Sequence, residues 1–301
     1  MPRADLDGLY SALQGAPAAT TIAELRAGFT AFGDILNAGA PAVATIERVA
    51  MNDAVAADII TPRGTPPFPV LVYLHGGGWS VGSAATHTKL AQQLAVGAGA
   101  LVVNVDYRLA PEHPFPAGHD DAIAALCWTR DHIARHGGDP TRLAVGGDSA
   151  GANLTAAAIL ATRGQVAVRA ALLFYGAFDL VTIGREHATR SPGGDDPILP
   201  LHATMLMANA YLTGDIDPAD PRVSPWRANL GAFPPACCIV GTADPIIDQT
   251  LRFHDALRAA GRVSTLHQYV DMPHAFVQLP GLPEADQAVA VACDFLRTTC
   301  G

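Results

Sequence analysis

Arg142-Leu143-Ala144-Val145-Gly146-Gly147-Asp148-Ser149-Ala150-Gly151-Ala152-Asn153-Leu154 is the stretch whose reading decides the fold. A short apolar run ends in Gly147-Asp148-Ser149-Ala150-Gly151, and an alanine-rich segment with helical character follows at once. A G-x-S-x-G pentapeptide between a strand and a helix puts its serine on a sharp turn, with the hydroxyl clear of the sheet edge. Gly147 and Gly151 carry no Cβ, so the strand before and the helix after can approach closely. The helix beginning here also aims free amide groups at the hydroxyl. A glycine-rich turn with an incidental serine has the same local pattern, so the reading needs partners elsewhere in the chain.

Outward from this turn the sequence alternates. The continuous apolar run at 70–74 reads as a strand covered on both faces, and 101–105, 170–175 and 237–240 read as further strands beside the run before Ser149. Helix-like segments near 88–97, 120–135, 249–260 and 284–296 lie between or after them. Two short strand-like runs between 43 and 61 break at Asn52-Asp53, and residues 264–270 supply one more, giving eight candidate strands. Such alternation predicts an α/β fold, a mostly parallel sheet with helices on both faces. Residues 1–40 read as helix, with Thr21 and Glu24 forming a capping-box pattern. The segment 180–225, rich in Pro, Gly and Asp, breaks the rhythm and shows one helix, near 202–211. With residues 1–40 it is expected to form a cap over the strand ends, within a single domain spanning 1–301.

Composition excludes several classes. Half of the 301 residues are hydrophobic and the net charge is −9, with no basic cluster for nucleic acid or an anionic membrane. No stretch is long and apolar enough to span a bilayer, and acidic residues near Met1 argue against a signal peptide. Five scattered cysteines without a C-x-x-C pair suggest core thiols in a reducing compartment, so a cytoplasmic location is expected.

A serine hydroxyl needs a base, and the base an orienting acid, arranged in this architecture in the chain order Ser, Asp or Glu, His. His274 lies just past the last strand-like run, where a loop can carry it over the sheet edge. His267 falls inside that strand pattern, His254 inside a helix, and His187 and His202 too early. Asp244 falls at the exit of the 237–240 run, with Asp248 one helical turn later as the alternate. Pro245 suits a first helical turn, which would make Asp244 a helix cap as well. His75-Gly76-Gly77-Gly78-Trp79 follows the 70–74 strand and leaves amides unshielded to stabilise an oxyanion. Ala150, after the serine, supplies a further amide. The triple glycine lacks the G-K-[ST] ending of a phosphate loop, and no histidine spacing suggests a metal, so neither cofactor nor metal is expected.

Four segments in order, 75–79, Asp106-Tyr107-Arg108-Leu109-Ala110-Pro111-Glu112-His113-Pro114-Phe115-Pro116-Ala117, 147–151, and Asp244-Pro245 with His274, resemble the hormone-sensitive-lipase-like branch of the α/β-hydrolases, the bacterial esterases of lipolytic family IV. The resemblance spans roughly residues 70–300. It implies an eight-stranded core under a helical cap and hydrolysis of short- to medium-chain carboxylic esters. It assigns Ser149 as nucleophile, His274 as base, Asp244 as acid, and Gly77, Gly78 and Ala150 as oxyanion donors. It gives the 107–117 segment a bracing role and implies a monomer or homodimer. Ala152 and Ala275 stand where the family favours glycine, and Gln249 where an acid is common. Phe29, Phe32, Met205 and Leu206 are candidate acyl contacts from the cap. The same machinery could serve amides, lactones or carbamates, and a small-ligand binder on this fold is the reading from another class.

Overall fold

The computed structural model describes residues 19–194 and 196–301. Eight strands form one sheet in the order β1-β2-β4-β3-β5-β6-β7-β8. They are β1 (Thr45–Ala50), β2 (Ala56–Thr61), β3 (Phe68–Leu74), β4 (Leu101–Asp106), β5 (Gly138–Asp148), β6 (Val168–Phe174), β7 (Ala236–Gly241) and β8 (Ser264–Tyr269). The β1–β2 and β2–β4 pairings are antiparallel, and every pairing from β4 across to β8 is parallel. The chain belongs to the α/β class, and the strand-like runs of the sequence fall in this sheet.

Strand periodicity builds the two halves of the core. Along β3, Val70, Val72 and Leu74 point into one cluster with Val103 and Val145, while Leu71 and Tyr73 point into the other with Val102 and Ala144. The first face is covered by α3 (Ala117–His132), α4 (Ala150–Ala161) and α7 (Ile247–Ala259), through residues such as Leu126, Leu154 and Phe253. The second face is covered by α2 (Thr88–Ala98) and α8 (Pro283–Cys300), through Leu94 and Leu296. Burial on both faces is why β3, β6 and β7 read as largely apolar runs.

Three helices lie outside this sandwich: α1 (Ile22–Asn37), α5 (Ile183–Arg190) and α6 (Leu201–Tyr211). The α1 start carries the capping box in full: Glu24 N–H donates to Thr21 Oγ1 (3.2 Å), and Thr21 N–H to Glu24 Oε2 (3.1 Å). The helix expected over 1–40 is thus seen as α1, while residues 1–18 lie outside the described residues. The segment 180–225 holds two helices rather than the one expected. The missed α5 is short and polar, and outside ties hold it. Glu186 accepts from Gln249 Nε2 (2.5 Å) and pairs with Arg252 (2.7 Å). The pairing gives α5 stability that its own composition does not.

Candidate active site

β5 ends at Asp148 and α4 begins at Ala150, so Ser149 is the whole connection. Its backbone is forced to φ 52°, ψ −116°, a conformation that costs an L-residue about 1–3 kcal/mol. The surroundings hold it there. A Cβ on Gly151 would lie 1.9 Å from the Leu74 carbonyl oxygen, and one on Gly147 would lie 2.4 Å from the same atom. Ser149 N–H donates to Phe174 O (2.9 Å), fixing the turn to the end of β6. The glycines therefore let β3 and α4 close on the serine from both sides.

Two neighbouring strand ends supply its partners. Gly241 ends β7, and a Cβ there would meet Met272 O at 2.0 Å, so only glycine lets the loop after β8 cross so near. That crossing brings His274 between Asp244 and Ser149. His274 Nε2 lies 2.9 Å from Ser149 Oγ, and Nδ1 lies 2.8 Å from Asp244 Oδ2. Asp244 Oδ1 accepts from Ile246 N–H (2.8 Å), which fixes the carboxylate plane. Both His274 and Asp244 are buried. Burial alone would pull the His274 pKa down, but the Asp244 charge and hydrogen bond, with Asp196 and Asp148 adding to them, raise it above 6.5.

The expected capping role of Asp244 is corrected in detail. α7 starts at Ile247 with Ile246 at the cap position, so Pro245 precedes the helix instead of forming its first turn. The carboxylate closes a tight local turn onto Ile246 N–H and leaves its other oxygen for His274. Asp248 goes elsewhere: both its oxygens bind Arg190 of α5 (2.6 and 2.9 Å).

After β3, the chain turns through Gly77 (φ 117°) and Gly78 (φ 54°), both left-handed. Gly77 O accepts from Ser80 and Val81 N–H (3.0 and 2.9 Å), making a compact loop. Among the described residues the amides of Gly77, Gly78 and Ala150 donate to no other group. His75 braces the loop: its Nδ1 lies 2.7 Å from Gly76 O, its ring stacks on Tyr107 at 4.2 Å, and its carbonyl accepts from Tyr107 Oη (2.8 Å). Burial, then the nearby His87, drops the His75 pKa to about 4, so it is neutral at pH 7.

A buried polar group behind the loop escaped the sequence reading. Asp148 accepts from Tyr73 Oη (2.8 Å), Gly76 N–H (2.9 Å) and Gln278 Nε2 (3.0 Å). It is the unassigned second letter of the pentapeptide. No sequence spacing links it to Tyr73, His87 or Gln278.

Above the glycine loop lies an apolar cluster of Ile22, Val81 and Met207, with Leu25, Phe29 and Leu206 packed on it. Met207 sits directly over the loop, 2.5 Å from where a Gly78 Cβ would be. Of the four candidate acyl contacts, Phe29 and Leu206 join this cluster, Phe32 packs with the second-face core, and Met205 lies against Gly184 of α5. Arg26 ties α1 down, donating to Ser80 O (2.7 Å), Ala110 O (2.7 Å) and both oxygens of Glu112 (2.8 and 2.6 Å). The Arg26 hydrogen bonds hold the Glu112 pKa to about 2.

A model of the α/β-hydrolase fold family matches residues 71–278. The carboxylesterase NlhH of Mycobacterium tuberculosis is 41% identical over 218 residues, covering 69% of this chain and 66% of that protein, just under two thirds of its length. A hyperthermophilic esterase from the archaeon Pyrobaculum calidifontis superposes with a TM-score of 0.92 at 31% identity, covering 99% of each chain. This chain belongs to the α/β-hydrolases. An esterase of the bacterial hormone-sensitive lipase family covers 100% of each chain at 34% identity and a TM-score of 0.87, which places the hydrolase in that branch. Among the described residues no helix is long and apolar enough to cross a membrane. No cluster of three or more His, Cys, Asp or Glu is placed to hold a metal ion there either.

Proposed function

We propose that this carboxylic ester hydrolase works through a covalent acyl-enzyme on Ser149. The observation that carries the reading is the unbroken line Ser149 Oγ, His274, Asp244, at 2.9 and 2.8 Å, beside a glycine loop with uncommitted amides. His274 Nε2 takes the Ser149 proton as Oγ attacks the ester carbonyl. Asp244 holds the imidazole by Nδ1 and favours its charged form. The amides of Gly77, Gly78 and Ala150 receive the oxyanion. His274 then protonates the departing alcohol, and a water, deprotonated by the same ring, releases the acid.

α1 and the 180–225 segment act as a cap, the part of the expected 1–40 and 180–225 cap that lies within the described residues. The proposed substrates are esters of short to medium chain, a reading that Met207, packed over Gly78, supports. The five cysteines are all free thiols, which suits a cytoplasmic setting. The test is hydrolysis of p-nitrophenyl esters from acetate to laurate, wild type beside Ser149→Ala. Turnover peaking at short chains and abolished in the variant is expected. Turnover that survives in Ser149→Ala, or an ester panel left untouched by folded wild type, contradicts the reading.

A further inference from the structure

The turn that carries His274 and the loop that carries Gly77 and Gly78 come from opposite sides of the elbow, and one side chain joins them. Gln278 closes the 3₁₀ turn four residues after His274, its N–H bonded to Ala275 O (3.1 Å). Its amide nitrogen lies 3.0 Å from Asp148 Oδ2 and 3.1 Å from His87 Nε2. The other Asp148 oxygen accepts the Gly76 amide, immediately before the oxyanion residues. Tyr175 lays its ring edge on His274 at 4.9 Å. Asp148, His87 and Gln278 are all buried, so the bonds among them form without competition from water.

We propose that Gln278 is a positioning residue whose side-chain amide, through Asp148 and Gly76, sets the His274 turn and the oxyanion loop in one register. This rests on the triad reading above. Proton transfer at Ser149 and charge capture at Gly77 and Gly78 occur in the same transition state, so the two loops have to be placed together. A misplacement near 1 Å can lower turnover by about 100-fold. The amide is the right group because it is neutral and donates. Asp148 Oδ1 takes hydrogen bonds from Tyr73 and Gly76, and its other oxygen, Oδ2, is left for a donor that the Gln278 amide supplies. The ionisable groups around the Gln278 amide are Asp148, His87 and Tyr175, with His75 and Tyr73 behind them and Lys89 lining the outer cleft that Gln278 shares with His87.

The experiment compares wild type, Gln278→Met, Gln278→Glu and Ser149→Ala on p-nitrophenyl butyrate, reading kcat, KM and Tm from pH 6 to 9. Gln278→Met keeps the shape without the donor, and its kcat is expected to drop about 10- to 100-fold at every pH with KM little changed. Gln278→Glu can donate to Asp148 only while protonated. Its kcat relative to wild type is therefore expected to be highest at low pH and to fall to the Met variant's level as pH rises. Two variants that match wild type throughout, or that lose the same activity at every pH, overturn the proposal. If Gln278→Met does not fold, the pH dependence of the isosteric Gln278→Glu decides alone. An active Ser149→Ala overturns the triad reading itself, whereas an inactive Ser149→Ala beside indifferent Gln278 variants overturns only the register role.

Discussion

The two layers that meet over Ser149 are built in different ways. Below, the ends of β3, β5, β6 and β7 are locked by backbone contacts that no side chain could replace: Gly151 and Gly147 against Leu74 O, and Gly241 against Met272 O. Above, α1, α5 and α6 are held by a small apolar cluster and by reaching side chains such as Arg26, Glu186 and Arg190. The lower layer fixes geometry for chemistry. In the proposed mechanism the upper layer covers it with contacts that can change without moving Ser149, His274 and Asp244. Substitutions below should thus be severe and act on kcat or folding, and those above mild and act on substrate choice.

The largest expected effect is from Asp244→Asn. With the imidazole no longer held or its charge favoured, kcat should fall about 10⁴-fold. The pH profile sharpens the point. On the proposed mechanism His274 has to be neutral to take the Ser149 proton, and its pKa is raised above the ordinary imidazole value, so wild-type activity should fall as pH drops through that raised value. Any residual activity of Asp244→Asn should keep its acid limb at a lower pH, since the chief raising influence is gone. Stability follows the opposite sense: the His274–Asp244 pair stabilises most below the unfolded imidazole pKa, and that contribution is lost as pH rises through the folded one.

Gly151→Ala comes next. Its Cβ meets backbone rather than a flexible side chain, and a loss of about 3 kcal/mol or more is expected, seen as a collapsed Tm or insoluble protein. Met207→Ala tests the upper layer. It should cost about 2 kcal/mol and shift the chain-length optimum toward longer acyl groups with kcat on acetate nearly kept. An unchanged ester profile would remove Met207 from the substrate space. The smallest effect belongs to Asp248→Asn, which breaks a half-exposed pair with Arg190. It should lower stability by less than about 1 kcal/mol and leave kcat unaltered. A kcat collapse there would undo the contrast between the layers.

The same contrast explains what could be read from the chain. The elbow, the glycine loop and the order of Ser149, Asp244 and His274 were legible because each depends on local backbone demands that leave a local pattern. Inner parallel strands such as β3, β6 and β7 were legible because burial on both faces makes mostly apolar runs. The upper layer was not. α6 is apolar around most of its circumference, so periodicity could not separate Met207, over Gly78, from Met205, against Gly184. α5 was missed because its stability comes from Gln249 and Arg252, more than sixty residues away. Asp148 and Gln278 belong to the lower layer, yet they too went unread, since their bond spans 130 positions of sequence and neither stands in a recognisable spacing. Ala275 shows the limit of a family comparison. It stands in the left-handed region at φ 59°, where glycine would be free of strain, so the turn is kept in this chain at the cost of backbone strain on Ala275.

The most direct test of the central claim is the chemical fate of Ser149 during turnover. Wild type and Ser149→Ala are mixed with p-nitrophenyl acetate, quenched in acid within the first turnover, and digested for mass spectrometry. An acetyl group on the peptide containing Ser149, formed with the burst of p-nitrophenol and absent from Ser149→Ala, is the predicted result. A burst with no modified peptide, or an acetyl group on a different residue that persists in Ser149→Ala, would contradict it.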